Sequence, residues 1–498
     1  MQDIKGTALR GGMAKLISQG GIFVIRLAFI AIVARLLSPE DFGLVAMVTA
    51  ITAVLELFAT AGLSVASVQR STISDDQIST LFWINVIVGL VLSLLCLLIA
   101  PLVVAFYNQP RLFWVTVVMG TGFFFNAAGV QHLALLQRQL RYTTISTIGF
   151  LSQLASLSIG VLLAVAGYGY WALVVAAIAT PAIVTCSVWL AAAWIPAPPS
   201  RNSDVRSLVH FGGTVTLNSM VSYFAYNFDK FILGRVWGAA AVGQYAVAAQ
   251  LVNTSTANIN FAIGGVLFSV LSRLQHDAAR FKSYFLKAYS LIVSLTLPIT
   301  IFSAAFTADI IAVVLGPRWT EAAPIFRLLV PAVLVFGLIN PLGWFLWSME
   351  RHVRSLKLSL VIAVLVIGAC LAGLPYGPTG VAIGFSTAMV FWLVPHVVWT
   401  LHGTTITPLE LFRAASEPLI SACIAVGLAY AAGYYVSTLP SPFLRLAVDG
   451  CIVMIVYPCV LLFVFGQKKL YIDLLKSLGT KSPVSVATTT IETVPYAP

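Results

Sequence analysis

Charged residues are scarce in this chain. Of its 498 residues, 28 are Lys or Arg and 17 are Asp or Glu, so charged residues make up 9% of the sequence, whereas 59% is hydrophobic. Soluble domains carry about 25% charged residues, and a soluble fold with so few could not cover its own surface. The composition therefore excludes a water-soluble enzyme and indicates a polytopic membrane protein.

Catalytic and metal-binding motifs are also missing. The sequence has no HExxH, GxSxG, DxD or GxxxxGK[ST] pattern, which are signatures of metalloproteases, serine hydrolases, metal-dependent glycosyl transfer and nucleotide binding. Its six cysteines lie in apolar runs without metal-ligand or disulfide-like spacing. We therefore expect no enzymatic activity, no metal and no cofactor.

Long apolar runs are abundant instead. Their length suits an α-helix crossing a hydrocarbon core about 30 Å thick. The runs predict an all-α polytopic membrane protein with fourteen transmembrane helices, at 14–36, 42–68, 79–106, 112–136, 144–167, 170–195, 211–235, 241–269, 284–306, 324–348, 356–374, 378–401, 412–436 and 444–466.

The cations orient these spans. Of the 28, twenty fall in loops on the side of the N-terminus and six on the opposite side, while Arg26 and Lys230 lie within spans. Cytoplasmic loops carry the excess of Lys and Arg, so we predict that both termini are cytoplasmic. The net charge of +11 then reflects cytoplasmic loops, and no nucleic-acid partner is expected.

An internal repeat divides the chain. Arg35 and Gly43, at the external turn after the first span, match Arg235 and Gly243 after the seventh. The matching topology predicts two parallel six-helix halves related by an axis along the membrane normal, a plan that transporters use around a central cavity. The predicted units are a first half at 1–200, a second half at 201–405, an extra helix pair at 406–466 and a cytoplasmic tail at 467–498.

The tail itself has two parts. Tyr471, Leu474, Leu475 and Leu478 recur at helical spacing, which predicts an amphipathic helix on the membrane surface. The polar segment from Gly479 onward is expected to be disordered.

Two opposite charges lie in the first two spans. An ionisable group near the bilayer centre costs about 2.5–3.5 kcal/mol or more, so each requires an explanation. Arg26 and Glu56 are expected at similar depth on adjacent antiparallel helices. They form either a neutralised pair that fixes helix packing or part of a cavity in which Arg26 is available to an anionic substrate.

The seventh span carries a second polar group, with Asn227, Asp229 and Lys230. Asp229 and Lys230 are adjacent in sequence and so do not face each other on a helix. Lys230 either snorkels to the outer interface or faces the cavity, whereas Asp229 is deeper. Asn253 on the eighth span is one of several amides that either line the cavity or join helices by hydrogen bonds.

Three stretches give the sequence a family resemblance: residues 21–48 (GGIFVIRLAFIAIVARLLSPEDFGLVAM), 229–234 (DKFILG) with VGQYAVA after it, and 138–142 (RQLRY). The chain resembles the Wzx-like polysaccharide transporters of the multidrug/oligosaccharidyl-lipid/polysaccharide exporter superfamily. The resemblance implies alternating-access transfer of an undecaprenyl-diphosphate-linked oligosaccharide across the bacterial inner membrane. It also implies a lipid-tail groove formed by the two extra helices.

In such flippases, cavity cations hold the diphosphate–sugar headgroup, a role that fits Arg26, with Lys230 or Arg235 as further candidates. The guanidinium groups of the arginines suit a diphosphate because they bind it bidentately. Peptidoglycan-precursor flippases carry several arginines on the first helix, and this chain has one in mid-span. This difference favours an exopolysaccharide or lipopolysaccharide unit. The implied partners are the lipid-linked oligosaccharide, membrane lipids, and a glycan polymerase with export proteins.

Two alternatives remain open. A cation-coupled exporter of small molecules or drugs, from the same superfamily, would have more carboxylates in its cavity and no extra helix pair. A membrane glycan polymerase or ligase would need a large periplasmic loop with Arg or His. In either transporter, Asp229 or Glu56 is the expected site of coupling to an ion gradient.

Overall fold

The computed structural model describes residues 2–59, 74–199, 206–436, 441–468 and 471, and within these ranges every regular element is helical. The all-α expectation is confirmed. The long helices are α1 Gln2–Leu36, α2 Pro39–Ala59, α3 Asp75–Tyr107, α4 Leu112–Arg138, α5 Tyr142–Val165, α6 Trp171–Ala192, α7 and α8 within Arg206–Leu274, α9 Ala278–Ala305, α10 Ala322–Ser348, α11 His352–Gly373, α12 Gly377–Leu401, α13 Pro408–Val436 and α14 Pro442–Cys459.

Glycines place several of the helix boundaries. The Arg206–Leu274 run breaks at Gly238, whose φ of 79° lies in the left-handed region that favours glycine, and this gives α7 (206–237) and α8 (239–274). Gly167 and Gly377, with φ of 82° and 75°, lie in the tight turns α5–α6 and α11–α12. The sequence therefore divides these closely spaced spans correctly.

Ten helical segments among the described residues are long and apolar enough to cross a membrane, so this is a multi-pass membrane protein. One of the ten, His352–Leu401, contains both α11 and α12. α2, which carries the charged residues Glu40, Asp41 and Glu56, is not among the ten.

We call the side on which α1 ends at Leu36 the far side, and the opposite side the near side. On the far side, α2 and α8 cross so closely that their backbones touch. A Cβ on Gly43 would collide with the carbonyl oxygen of Ala239, and a Cβ on Gly243 would collide with that of Pro39. The contact is reciprocal: Gly43 and Gly243 are 200 positions apart, and so are the residues they meet, Pro39 and Ala239. Small residues permit this approach, as in many packed membrane helices.

Further contacts seal the far side around this crossing. Between α9 and α10 the chain forms a short helix, Thr307–Val314, and a 3₁₀ turn, Pro317–Trp319. Trp319 is fully buried, donates from Nε1 to the Ala34 carbonyl at 2.8 Å, and packs edge-on against Phe42. Arg35 donates from Nη2 to the Val313 carbonyl at 2.7 Å. The connection between α9 and α10, for which the sequence predicts no helix, thus contains two short helical segments that cover the far side.

The extra helices α13 and α14 pack on α9. Arg445 of α14 pairs with Asp309 at 2.6 Å, and the Tyr457 hydroxyl donates to the Ser294 carbonyl at 2.6 Å. Tyr471, beyond Gly466, also contacts α9, where its hydroxyl donates to Ser294 Oγ at 2.5 Å. The rest of the predicted surface helix and the tail from Gly479 lie outside the described residues, as does the boundary at 200–205.

Alanine at Gly43 tests the helix crossing. Gly43→Ala is expected to lower the apparent melting temperature of the detergent-purified protein because the added methyl group meets the Ala239 backbone, which cannot move aside as a side chain can. Gly122→Ala is the matched control, since a Cβ there meets nothing within 4 Å. It should leave the melting temperature unchanged or raise it through helix propensity. The two variants falling on the same side of wild type would contradict the close approach.

Candidate functional site

A cavity of about 450 Å³ opens between α2 and the helices α7, α10 and α11, towards the near side. Its lining is polar and aromatic: Leu57, Ser222, Tyr223, Tyr226, Asn227, Trp347 and Ser355. On the far side of this cavity, the first six helices contact the next six. The Tyr223 hydroxyl donates to the Ala50 carbonyl at 3.0 Å, and the glycine crossing lies farther towards the far side. The cavity is therefore closed towards the far side.

Two hydrogen bonds along α7 link Lys230 to the wall of this cavity. Lys230 Nζ donates to Asn227 Oδ1 at 2.7 Å, and Asn227 Nδ2 donates to the Tyr223 carbonyl at 3.0 Å. Helix side chains lean towards the N-terminus, which for α7 is the near side. Lys230 thus leans towards the near side, against a residue of the cavity wall, and does not snorkel to the far interface. Its amino group meets an amide oxygen rather than a carboxylate, so its charge is not cancelled by this contact.

Asp229 occupies a different face of α7. The residue is 4% exposed, and its Oδ1 accepts a hydrogen bond from the Lys230 backbone N–H at 2.8 Å. The fully buried side chains of Tyr245 on α8 and Cys370 on α11 lie close enough to interact with it electrostatically. Asp229 and Lys230 therefore face apart, as expected, and the carboxylate is buried where three helices of the second set meet.

Arg26 is held by α5. Its Nε and Nη2 donate to Gln153 Oε1 at 3.3 and 3.0 Å, while the rest of the side chain is exposed. Gln153 itself is buried. A single neutral acceptor leaves several guanidinium N–H groups and the full positive charge available to an anion.

The expected Arg26–Glu56 pair does not form among the ion pairs of the described residues. At 1.5 Å per residue, Arg26 lies about 15 Å from the far end of α1, and Glu56 lies about 25 Å from the far end of α2. Gln153 lies about 18 Å from the far end of α5 and so matches the depth of Arg26. Glu56 is exposed beside the cavity residue Leu57 and interacts electrostatically with Tyr223.

Of the five predicted substrate-binding residues, only Asn227 lines the cavity, and Arg26, Lys230, Arg235 and Asn253 do not. Arg235 lies near the far side, with its guanidinium 5.9 Å from the ring centre of Phe106 on α3. Asn253 is exposed on α8, and no hydrogen bond of its side chain is found in the described part of the chain. The side chains of Asn218, Asn258 and Asn260 lie outside the described residues.

Several site residues escape sequence reasoning. Gln153 could have been found by matching its depth to that of Arg26. Ser222, Trp347 and Ser355 carry no such signal, because their place at the cavity depends on how α10 and α11 pack beside α7. Within the described ranges no three His, Cys, Asp or Glu side chains converge as metal ligands would.

A double-mutant cycle tests the partner of Arg26. The unfolding free energies of Arg26→Ala and Gln153→Ala should couple by about 0.5 kcal/mol or more, because the residues touch. Those of Arg26→Ala and Glu56→Gln should add to within about 0.5 kcal/mol. Denaturant titration in detergent measures both coupling energies. A larger coupling of Arg26 with Glu56 than with Gln153 would show that Arg26 pairs with Glu56.

Comparison with known proteins agrees with this architecture. "Lipopolysaccharide biosynthesis protein WzxC" of Escherichia coli K12 is 25% identical over 425 residues, which cover 82% of this chain and 85% of the relative. "Succinoglycan biosynthesis transport protein ExoT" of Rhizobium meliloti 1021 is 22% identical over 457 residues, or 90% and 91% of the two chains.

Among solved structures, the lipid II flippase MurJ in its inward closed conformation superposes with a TM-score of 0.72 at 14% identity, covering 94% of this chain and all of that one. At this identity the likeness concerns the fold alone. The sequence evidence goes further, because residues 32–324, more than half of the chain, match the family model described as "Polysaccharide biosynthesis protein". The chain therefore belongs to this family of polysaccharide biosynthesis proteins.

Proposed function

We propose that the protein flips an undecaprenyl-diphosphate-linked oligosaccharide repeat unit across the bacterial inner membrane by alternating access. The observation that carries the proposal is the cavity that is open on the near side and sealed on the far side, with Asn227 in its wall and Lys230 hydrogen-bonded to Asn227. The product would serve exopolysaccharide or lipopolysaccharide assembly, beside a glycan polymerase and export proteins. The names of WzxC and ExoT, which concern polysaccharide biosynthesis and transport, support this substrate class.

The near side is proposed to be the cytoplasm, with both termini there, since it carries most of the loop cations. The substrate would enter from this side. Transfer of its diphosphate from water into the cavity requires compensating cations, because an uncompensated charge in a low-dielectric site is costly. Lys230 supplies a point charge and Arg26 a planar group that binds phosphate oxygens in pairs. Both cations are held by amide oxygens, so a diphosphate does not have to break an ion pair in order to bind.

The plan of fourteen spans, arranged as six plus six plus two, is also part of the proposal. The reciprocal contact of Gly43 with Ala239 and of Gly243 with Pro39 supports a two-fold relation between the halves. The α13–α14 pair on α9 is the proposed groove for the lipid tail. Its presence, and a cavity lining without carboxylates, favour a flippase over an exporter of cationic drugs.

Coupling to an ion gradient is proposed to act through Asp229. Its carboxylate is buried between α7, α8 and α11, so binding a proton or a cation there changes the electrostatic energy of packing α7 against its neighbours. α7 also carries Lys230 and Tyr223. Glu56, exposed beside the cavity, is the alternative coupling group.

Two cations on one helix provide a matched test of headgroup binding. Lys230→Met should slow leaflet transfer of a labelled undecaprenyl-diphosphate oligosaccharide in proteoliposomes by at least about tenfold, since a charge-assisted hydrogen bond is worth about 1.5–3 kcal/mol. Arg235→Met, five residues along α7 and away from the cavity lining, should change the rate less than about twofold. Equal effects of the two variants, at equal folded yield, would remove Lys230 from the site.

The coupling role of Asp229 is testable in the same vesicles. Asp229→Asn should retain transfer without a gradient but lose the acceleration that an imposed proton or sodium gradient gives to wild type. The neutral amide keeps the size of the side chain and removes its charge. Loss of the acceleration in Glu56→Gln, with Asp229→Asn still responding, would assign coupling to Glu56.

A further inference from the structure

Two arginines meet at the near-side end of α11. Arg351 immediately precedes this helix, and Arg354 lies in its first turn. Both donate from Nη1 to the same oxygen, the carbonyl of His402 directly after α12, at 3.2 and 2.6 Å. Neither arginine has an ion pair among the described residues. Two positive charges are therefore held side by side, where they repel each other.

The two guanidinium groups keep hydrogen-bond donors to spare. Arg351 also donates from Nη2 to the Gly403 carbonyl at 3.0 Å. Arg354 donates from the same Nη1 to the carbonyls of Thr400 and Trp399, at 3.2 and 3.4 Å, while its Nε and Nη2 donate to no described residue. Both arginines are partly exposed. Because neutral carbonyls leave the charge of a guanidinium uncancelled, the pair can still bind an anion.

A single arginine caps the corresponding helix among the first six. Arg141 precedes α5 as Arg351 precedes α11, with φ and ψ of −80° and 49° against −88° and 48°. Arg141 donates to the Ala191 carbonyl, in the last turn of α6, at 2.8 Å. At the position that matches Arg354, the first six helices carry Thr144. Capping a helix end therefore does not account for the second arginine.

The arginine pair lies at the end of an apolar surface that faces lipid. α11 and α12 pack side by side, and both belong to a segment that is apolar enough to cross the membrane. Exposed apolar side chains cover their near-side halves: Val353, Leu360 and Val361 on α11, and Val394 and Val398 on α12. Lys357, one turn along α11 from Arg354, is exposed as well and adds a third cation. This combination suits a ligand with an anionic head and apolar chains.

We propose that Arg351 and Arg354 bind the phosphate group of an anionic phospholipid in the near-side leaflet. Guanidinium groups bind phosphate oxygens in pairs, so two of them side by side can hold one phosphate firmly. The acyl chains then lie along the exposed apolar side chains of α11 and α12. Basic pockets between membrane helices on the cytoplasmic side bind anionic headgroups in this way. Neither arginine lines the near-side cavity, so this site is additional to the proposed transport site.

Native mass spectrometry of the delipidated protein in detergent tests the site directly. Phosphatidylglycerol and phosphatidylcholine with the same oleoyl chains are the matched ligands. The first phosphatidylglycerol molecule is expected to bind at least about tenfold more tightly, because the choline ammonium of the other lipid competes with the arginines for the phosphate. Equal affinities would reduce the contact to unselective lipid binding and overturn the proposal.

A pair of variants locates the binding. Arg354→Thr introduces the residue type of the matching position, Thr144, and leaves Arg351 to cap α12. It should weaken binding of the first phosphatidylglycerol at least about tenfold, because charge-assisted hydrogen bonds are lost. Arg141→Thr is the control: it removes one near-side cation as well and should change the affinity less than about twofold. Equal losses in the two variants would show a diffuse electrostatic attraction and contradict the assignment.

A conservative variant decides the question if Arg354→Thr does not fold. Arg354→Lys keeps the charge and removes the planar group that binds phosphate oxygens in pairs. Its affinity for phosphatidylglycerol should fall about threefold or more, given the loss of that geometry. An affinity equal to that of wild type would overturn the proposal.

Inorganic phosphate distinguishes a lipid site from a site for a soluble anion. Calorimetric titration should show phosphate binding at least about tenfold more weakly than phosphatidylglycerol, because phosphate has no chains to bury against α11 and α12. Tighter binding of inorganic phosphate would overturn the assignment to a lipid. None of these measurements involves transport, so failure of the proposed flippase function would leave their outcome unchanged.

Discussion

The close backbone contact between α2 and α8 is the constraint on which the other features depend. Two glycines 200 positions apart allow it, because each faces a carbonyl oxygen that any Cβ would strike. Once the helices cross there, Trp319 can reach the Ala34 carbonyl and Arg35 the Val313 carbonyl, and the far side closes. The near-side cavity lies farther along α2, between this helix and α7, α10 and α11.

The charged groups in the spans follow one pattern. Lys230 and Arg26 each rest on a side-chain amide oxygen, and Asp229 on a backbone N–H. A buried ion pair would offset desolvation more completely but would also commit both charges to each other. Neutral partners satisfy the geometry of a charged group and leave its charge available. That arrangement suits a site that must bind and release an anionic headgroup. In a helix bundle with a structural role alone, the same charges would add a desolvation cost without any gain.

Much of the fold could be read from the sequence because membrane spans and repeats depend on local patterns. The apolar runs located the helices, and the match of Gly43 with Gly243 singled out the residues that cross. The crossing itself could not be predicted, since it joins segments 200 positions apart. The Arg26–Glu56 pair was expected from a similar depth, but α2 begins at Pro39, three residues earlier than predicted, and Glu56 lies too near the other side. Gln153 takes that place: its depth on α5 matches that of Arg26, and the packing of α5 on α1 brings the two side chains together.

Distances between spin labels test the central claim, that the two sets of helices open alternately about the glycine crossing. In a variant without native cysteines, labels at Tyr168 and Tyr376 report on exposed far-side turns, and labels at Gln139 and Val353 report on the near side. Adding the lipid-linked oligosaccharide and an ion gradient should lengthen the far-side distance and shorten the near-side one. Distances that stay fixed during transfer, or change with the same sign, would contradict the account.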